Sequence, residues 1–214
     1  KNINCIISVL KSEKLKTNIK NADLIFDLAA PSTGNLRETK KFYKDRINYI
    51  FENMSIKSKF VFASTMNAFG LSERNRKLKN YLIPSSIYAA NKRFAEELII
   101  KEGKQRNFET YVVRLSNVHG NLQRASNEIK ELILNDYVFE IPSTSAWIVF
   151  VSSIYEMLIS ILENKEKPGK YTLVNDEIFW PDLLEFFAKK LNKKVKYRVF
   201  EKENNIFLNK VCYS

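Results

Sequence analysis

The chain has 214 residues, 45% of them hydrophobic, and 35 Lys and Arg against 24 Asp and Glu give it a formal net charge of +11. That apolar content supports one sizeable core and excludes a disordered chain, while no run approaches the roughly 18 consecutive apolar residues of a membrane span. Cys5 and Cys212 lie at opposite ends without a Cys-x-x-Cys or Cys/His cluster, which excludes a disulfide framework and a zinc site. The first residues lack the order of a signal peptide, so a soluble, cytoplasmic protein with reduced thiols and no membrane segment is expected. The positive charge is scattered, and only 189–198 (KKLNKKVKYR) is dense. A solvated Lys-rich surface is therefore expected rather than a nucleic-acid site, with a field that favours anionic ligands such as a nucleotide diphosphate.

In chain order, residues 3–10 (INCIISVL) and 22–30 (ADLIFDLAA) are short, nearly continuous apolar runs, as expected of strands buried on both faces of a parallel sheet. The polar stretch between them reads as a short helix or turn. Phe42, Tyr43, Ile47, Ile50, Phe51 and Met54 recur at helical spacing and predict an amphipathic crossover helix over 39–54. Residues 59–65 (KFVFAST) form the next buried strand. Pro84, Ser85 and Ser86 then offer a helix start, Ala89, Ala90, Phe94, Ala95, Leu98 and Ile99 build its apolar face, and Gly103 supplies a stop. Residues 109–116 are a strand, 127–139 read as a helix that then turns, and 146–164 read as a strand running into a helix. A strand over 170–174 and a helix over 180–194, with Pro181 in its first turn, complete the pattern. The alternation of strands and helices gives an α/β class with a mostly parallel sheet.

In an open parallel sheet, ligands bind beyond the carboxyl ends of the strands. Three predicted strand ends are rich in small or polar groups: DLAAPSTG (27–34), ASTMNAFG (63–70) and RLSNVHG (114–120). Between the second and third lies Tyr88-x-x-x-Lys92. By itself this spacing is weak, since about one such pair is expected by chance in a chain with 10 Tyr and many Lys. In its setting it carries more. The ordered set of strand plus LAA, strand plus AST-x-x-x-F-G, Y-x-x-x-K opening a helix and strand plus R-x-x-N-V-x-G resembles the extended short-chain dehydrogenase/reductase family, which includes nucleotide-sugar epimerases and dehydratases. The similarity continues through WIVFVSSIYEMLISIL and GKYTLVNDEIFWPDLLEFFAKKL, nearly to the end of the chain.

The resemblance implies a Rossmann-like, doubly wound parallel sheet. Residues 1–120 would form a partial core, and 121–214 a mixed region supplying a small substrate-binding part and the last core strand and helix. It implies NAD or NADP as cofactor, a nucleotide sugar as substrate, a role in bacterial surface-polysaccharide synthesis, and room for a homodimer. By position, Thr65, Tyr88 and Lys92 match the family's catalytic triad. Ala29, Ala30, Ser64, Tyr88, Lys92 and Ser116 fall at cofactor positions, and Met66 and Asn117 at substrate positions. Chemistry supports these residue types. A free Tyr has a pKa of about 10 and is a poor base at neutral pH, but a lysine ammonium one helical turn away stabilises its phenolate. Thr65 would hold the substrate oxygen, and Lys92 would also reach the cofactor ribose. His119 stands where the family usually has Tyr and is read as structural.

The match departs from the family at several points. No Gly-x-x-Gly-x-x-Gly occurs among glycines 34, 70, 103, 120 and 169. The alignment sets Lys1 after the first two strand–helix units, a shortfall of roughly 55 residues. A segment preceding Lys1 explains this better than a cofactor half from another chain or a degenerate relative without dinucleotide. Ser8, Ser152, Ser153 and Ala146 also replace charged family residues. Met66 and Asn67 stand where dehydratases and decarboxylases carry acids, so elimination is disfavoured and epimerisation or keto-sugar reduction remains. The alternatives are a non-catalytic module that binds a nucleotide sugar or a protein, and a basic nucleic-acid-binding domain.

Overall fold

The computed structural model describes residues 13–31, 36–69, 86–143 and 145–200. The elements run α1 (Glu13–Asn21), β1 (Leu24–Asp27), α2 (Leu36–Asn53), β2 (Lys59–Thr65), α3 (Ile87–Gln105), β3 (Glu109–Leu115), β4 (Asn117–His119), α4 (Arg124–Leu134), β5 (Val138–Pro142), β6 (Ser145–Phe150), α5 (Val151–Leu162), β7 (Gly169–Leu173), β8 (Asp176–Phe179), α6 (Trp180–Lys190) and β9 (Lys196–Phe200). A 3-10 turn, Met66–Phe69, follows β2 directly. The main sheet is parallel, in the order β1-β2-β3-β7. The strand expected over residues 3–10 lies outside the described residues, as do Ser8, Gly34, Gly70, Pro84 and Ser85.

The continuous apolar runs have a simple cause. Side chains alternate between the faces of a strand, so a strand covered on both sides is apolar at every position. Phe60, Phe62 and Val112 face a core built with Tyr43, Ile47, Phe51, Ala95 and Ile99 of α2 and α3. Val61, Tyr111 and Val113 face the other way, onto Ile161 of α5. Helices thus cover both faces, as the doubly wound expectation requires. The remaining strands form two small sheets, β4-β6-β8 and β5-β9. The second of these, with α4 and α6, encloses a separate core of Ile133, Phe139, Ile141, Leu183, Leu184 and Phe187. No described helix is long and apolar enough to cross a membrane.

The structure adds detail to the sequence reading and corrects it at Gly103. The helix expected to begin at 127 and then turn is α4, which begins earlier, at Arg124, and ends at Leu134 before the turn, while Val138 already belongs to β5. Strands β4, β8 and β9 carry exposed polar residues and left no apolar run to read. Gly103 does not stop α3, which continues to Gln105. The stop is Asn107, at φ 59°. There the Phe108 N–H donates to the Gly103 carbonyl at 2.9 Å and the Asn107 N–H to that of Lys104 at 3.4 Å, a Schellman closure. The same paired bonds end α4 at Asp136, α5 at Asn164 and α6 at Asn192, all with positive φ. Asn and Asp reach this left-handed conformation more readily than other non-glycine residues, so four helices end without glycine.

Gly103 has a different task. A Cβ there would lie 2.3 Å from Thr110 Cγ2, so its absence lets α3 sit close against β3. Gly103→Ala should therefore destabilise the protein by about 1–3 kcal/mol in urea unfolding. Gly169→Ala, where the nearest atom would lie 4.0 Å from the added Cβ, should be close to neutral.

Candidate active site

The carboxyl ends of β1, β2 and β3 lie side by side, with Asp27 in register with Phe62 and Thr65 with Leu115. Thr65 ends β2, and its Oγ1 accepts the Asn67 N–H at 3.3 Å, which starts the 3-10 turn. Met66 and Ala68 of that turn are buried, so the strand end is tied down on its inner side. α3 begins at Ser86, whose extended backbone and side chain, accepting the Ala89 N–H at 3.1 Å, form an N-cap. That cap makes Tyr88 the second residue of the helix and brings Lys92 onto the same face one turn later.

The two side chains differ sharply in exposure. Tyr88 is 48% exposed and Lys92 only 3%. The Lys92 ammonium donates to the Ala63 carbonyl at 2.8 Å, lies 4.6 Å from the centroid of the Phe62 ring and 5.9 Å from that of Tyr88. Burial brings its pKa down to about 8, against the opposing pull of the Asp27 and Glu96 carboxylates. Partial burial pushes the Tyr88 phenol upward. At neutral pH the site thus holds an ammonium beside a protonated phenol.

Asp27 and Arg46 form a second charged group at the same end of the sheet. The buried Asp27 carboxylate accepts from Arg46 Nε at 2.9 and 3.0 Å, from Nη2 at 2.6 Å, and from the Ala29 N–H at 3.0 Å. The partly buried Ala29 and exposed Ala30 follow from this anchor at the mouth of the strand ends. Tyr43 of α2 stacks edge-on to Phe62, with ring centroids 6.0 Å apart. Its phenol is pushed well above the usual range, by burial first and then by Tyr88 and Asp27.

Of the residues expected to touch a cofactor, Ser64 is buried and its hydroxyl donates to Glu96 at 2.5 Å. Ser116 stands just beyond β3, with its Oγ buried and without a hydrogen-bond partner. Asn91, beside Lys92, has an equally unpartnered Oδ1. Such orphaned groups are uncommon in native interiors and want a partner. Asn117 is exposed at the start of β4. His119 is buried, with Nδ1 3.0 Å from Ser126 Oγ and its ring against Phe187. Burial lowers its pKa, in keeping with a packing role. Ala146 is likewise buried within β6.

Sequence reasoning missed Asp27, Arg46, Glu96 and Arg114. The available signal was a charged residue inside an otherwise apolar strand, LIFD for β1 and ETYVVRL for β3, together with an acid one turn beyond Lys92. Among the described residues no group of His, Cys, Asp and Glu has the arrangement of a metal site.

The model of the NAD dependent epimerase/dehydratase family matches residues 3–137. Among solved structures, the chain is similar to a UDP-N-acetylglucosamine 4-epimerase from Methanobrevibacter ruminantium M1 in complex with UDP-N-acetylmuramic acid, at 18% identity and a TM-score of 0.72, over 93% of this chain and 70% of that one. A UDP-glucuronic acid 4-epimerase from Bacillus cereus, in complex with UDP-glucuronic acid and NAD, aligns at 18% identity and a TM-score of 0.70, over 92% and 68% of the two chains. The RMD protein of Pseudomonas aeruginosa, complexed with NADPH, aligns at 16% identity and a TM-score of 0.61, over 89% and 78%. No curated protein sequence matches the chain.

The titration of Lys92 can be read directly. In protein labelled at lysine Cε, one resonance, missing from Lys92→Met, should titrate near pH 8, while exposed lysines titrate near about 10.4. The unfolded value is 10.5, so folding releases this proton between about pH 8 and 10.5. The destabilisation from burying the cation is therefore full below pH 8 and is relieved as the pH rises through that window.

Proposed function

Because the chain belongs to the NAD-dependent epimerase/dehydratase family, we propose that it is an NAD(P)-dependent epimerase or keto-reductase of a nucleotide-activated sugar, with Thr65, Tyr88 and Lys92 as its catalytic residues. The observation that carries this reading is the convergence of Tyr88 and Lys92, on one face of α3, at the carboxyl end of β2 where Thr65 stands. Ligands of open parallel sheets bind at that end.

In this reading Tyr88 is the acid and base. With its proton it protonates the oxygen of a sugar carbonyl that is being reduced; without it, it takes the proton of a sugar hydroxyl that is being oxidised. Lys92 makes the second state accessible, since its ammonium favours the phenolate while its own burial keeps it from straying into solvent. Thr65 donates a hydrogen bond that orients the same oxygen, and Met66 and Asn117 flank the sugar. A bound nicotinamide supplies the hydride exchange. The residues that would hold it are Lys92 and Tyr88 together with Ala29, Ala30 and Ser116. The unpartnered Ser116 hydroxyl supports that assignment, because a buried hydroxyl at a strand end is suited to a polar ligand. Met66 and Asn67 offer no carboxylate beside Thr65, so loss of water from the sugar is not part of the proposal.

Turnover is to be measured on UDP- and dTDP-hexoses with NAD and NADP, alongside detection of tightly bound dinucleotide. Tyr88→Phe should cut kcat by at least about 100-fold, within the usual range for a lost acid/base group, while leaving the fold intact. Unchanged turnover in that variant would overturn the role of Tyr88. Protein that neither binds dinucleotide nor turns over any of these sugars would instead favour a binding module.

A further inference from the structure

We propose that Glu96 is a positioning residue: its buried carboxylate gathers β2, β3 and β7 onto α3 and thereby fixes Thr65 relative to Tyr88 and Lys92. The inference rests on the proposed catalytic roles of those three residues. Glu96 is 0% exposed and lies one turn beyond Lys92 on α3. Its Oε1 accepts from Ser64 Oγ at 2.5 Å and from Arg114 Nε at 2.9 Å, and its Oε2 accepts from Arg114 Nη2 at 2.6 Å, with Lys170 Nζ at 3.5 Å. Ser64, Arg114 and Lys170 belong to three neighbouring strands, and Ser64 is the register partner of Arg114.

The placement of these bonds separates the proposal from an ordinary core ion pair. Lys92 grips the carbonyl of Ala63, and Glu96 grips the hydroxyl of Ser64. Two side chains one helical turn apart thus hold two successive residues of β2, and the next residue is Thr65. Any slide of the helix along the strand breaks both contacts. A buried pair of this kind gives little net stability over apolar residues of the same volume, so its geometric effect is the more distinctive one. Ser64, expected to touch the cofactor, has its hydroxyl hydrogen committed to Glu96 and joins the same clamp.

Glu96→Gln and Ser64→Ala test the idea, with kcat, KM and dinucleotide affinity measured in full-length protein. Misplacement of Thr65 should lower kcat by about 10- to 100-fold in Glu96→Gln, and by less in Ser64→Ala, with KM and dinucleotide affinity within about twofold of the parent. Should Glu96→Gln fail to fold, the double variant Glu96→Met, Arg114→Met removes both charges and should fold yet remain slow.

A second readout needs no turnover. The groups facing Lys92 are Asp27 from β1, and Tyr88 and Glu96 from its own helix. Glu96→Gln should move the Lys92 titration to lower pH and shift the backbone amide resonances of Thr65 and Tyr88, whereas Ser64→Ala should shift Thr65 and leave the Lys92 titration in place. A folded Glu96→Gln or double variant with parental kcat overturns the proposal. In protein without measurable turnover, unmoved Lys92 and Thr65 signals in Glu96→Gln overturn it independently of the catalytic reading. A loss of dinucleotide affinity in Ser64→Ala overturns the assignment of Ser64 to the clamp.

Discussion

A carboxylate with no access to water must be met by donors from the protein, and Glu96 is met from three strands at once. Arg114 cannot turn away without stranding its own charge, and Ser64 fills the remaining lone pair of Oε1. The height of α3 over the sheet is thereby set next to the carboxyl end of β2, one residue before Thr65. Asp27 and Arg46 repeat the device one strand away, linking β1 to α2. The sheet is in effect layered along its strands. The middle of the sheet is hydrocarbon, held by Phe60, Phe62, Val112 and their helical partners, and the carboxyl end is a shell of paired charges. At the opposite end of β2 the buried Lys59 amine donates to the Ile161 carbonyl and to Asn164, which anchors the end of α5.

The parallel strands were legible because burial on both faces leaves a continuous apolar run, and α2 and α3 because their apolar positions recur at helical spacing. Tyr88 and Lys92 were legible from spacing and setting, and the Ser86 cap supplies the local reason for their placement. The charged shell was not read, since Asp27, Arg114 and Glu96 are buried through pairings that only tertiary contact creates. Strands β4, β8 and β9 escaped for the reverse reason: they are short, interrupted by polar residues, and stabilised by neighbours distant in sequence. Gly103 was mistaken for a stop because glycine has two uses, freedom of backbone and lack of a side chain, and only the second applies here.

Burial acts on Tyr88 and Lys92 in opposite senses, raising one and lowering the other, and so widens the gap between them, with the lysine the more readily deprotonated of the two. Either shift disfavours the charged form of its group. The carboxylates of Asp27 and Glu96 offset part of the cost for the lysine, leaving its ammonium, 5.9 Å from the Tyr88 ring centroid, as a charge able to stabilise the phenolate. In the proposed chemistry this is a site whose resting state favours donation and whose reverse step depends on one buried cation.

The asparagine and aspartate closures of α3 to α6 bear on the chain before it folds. Each spends some backbone strain in the native state that glycine would avoid, yet each also denies the unfolded chain the wide conformational range that glycine brings. With only five glycines in 214 residues, the disordered ensemble of this protein is stiffer than that of a glycine-capped equivalent. Part of what holds the helices in place is thus a poverty of alternatives, which no contact within the folded molecule displays.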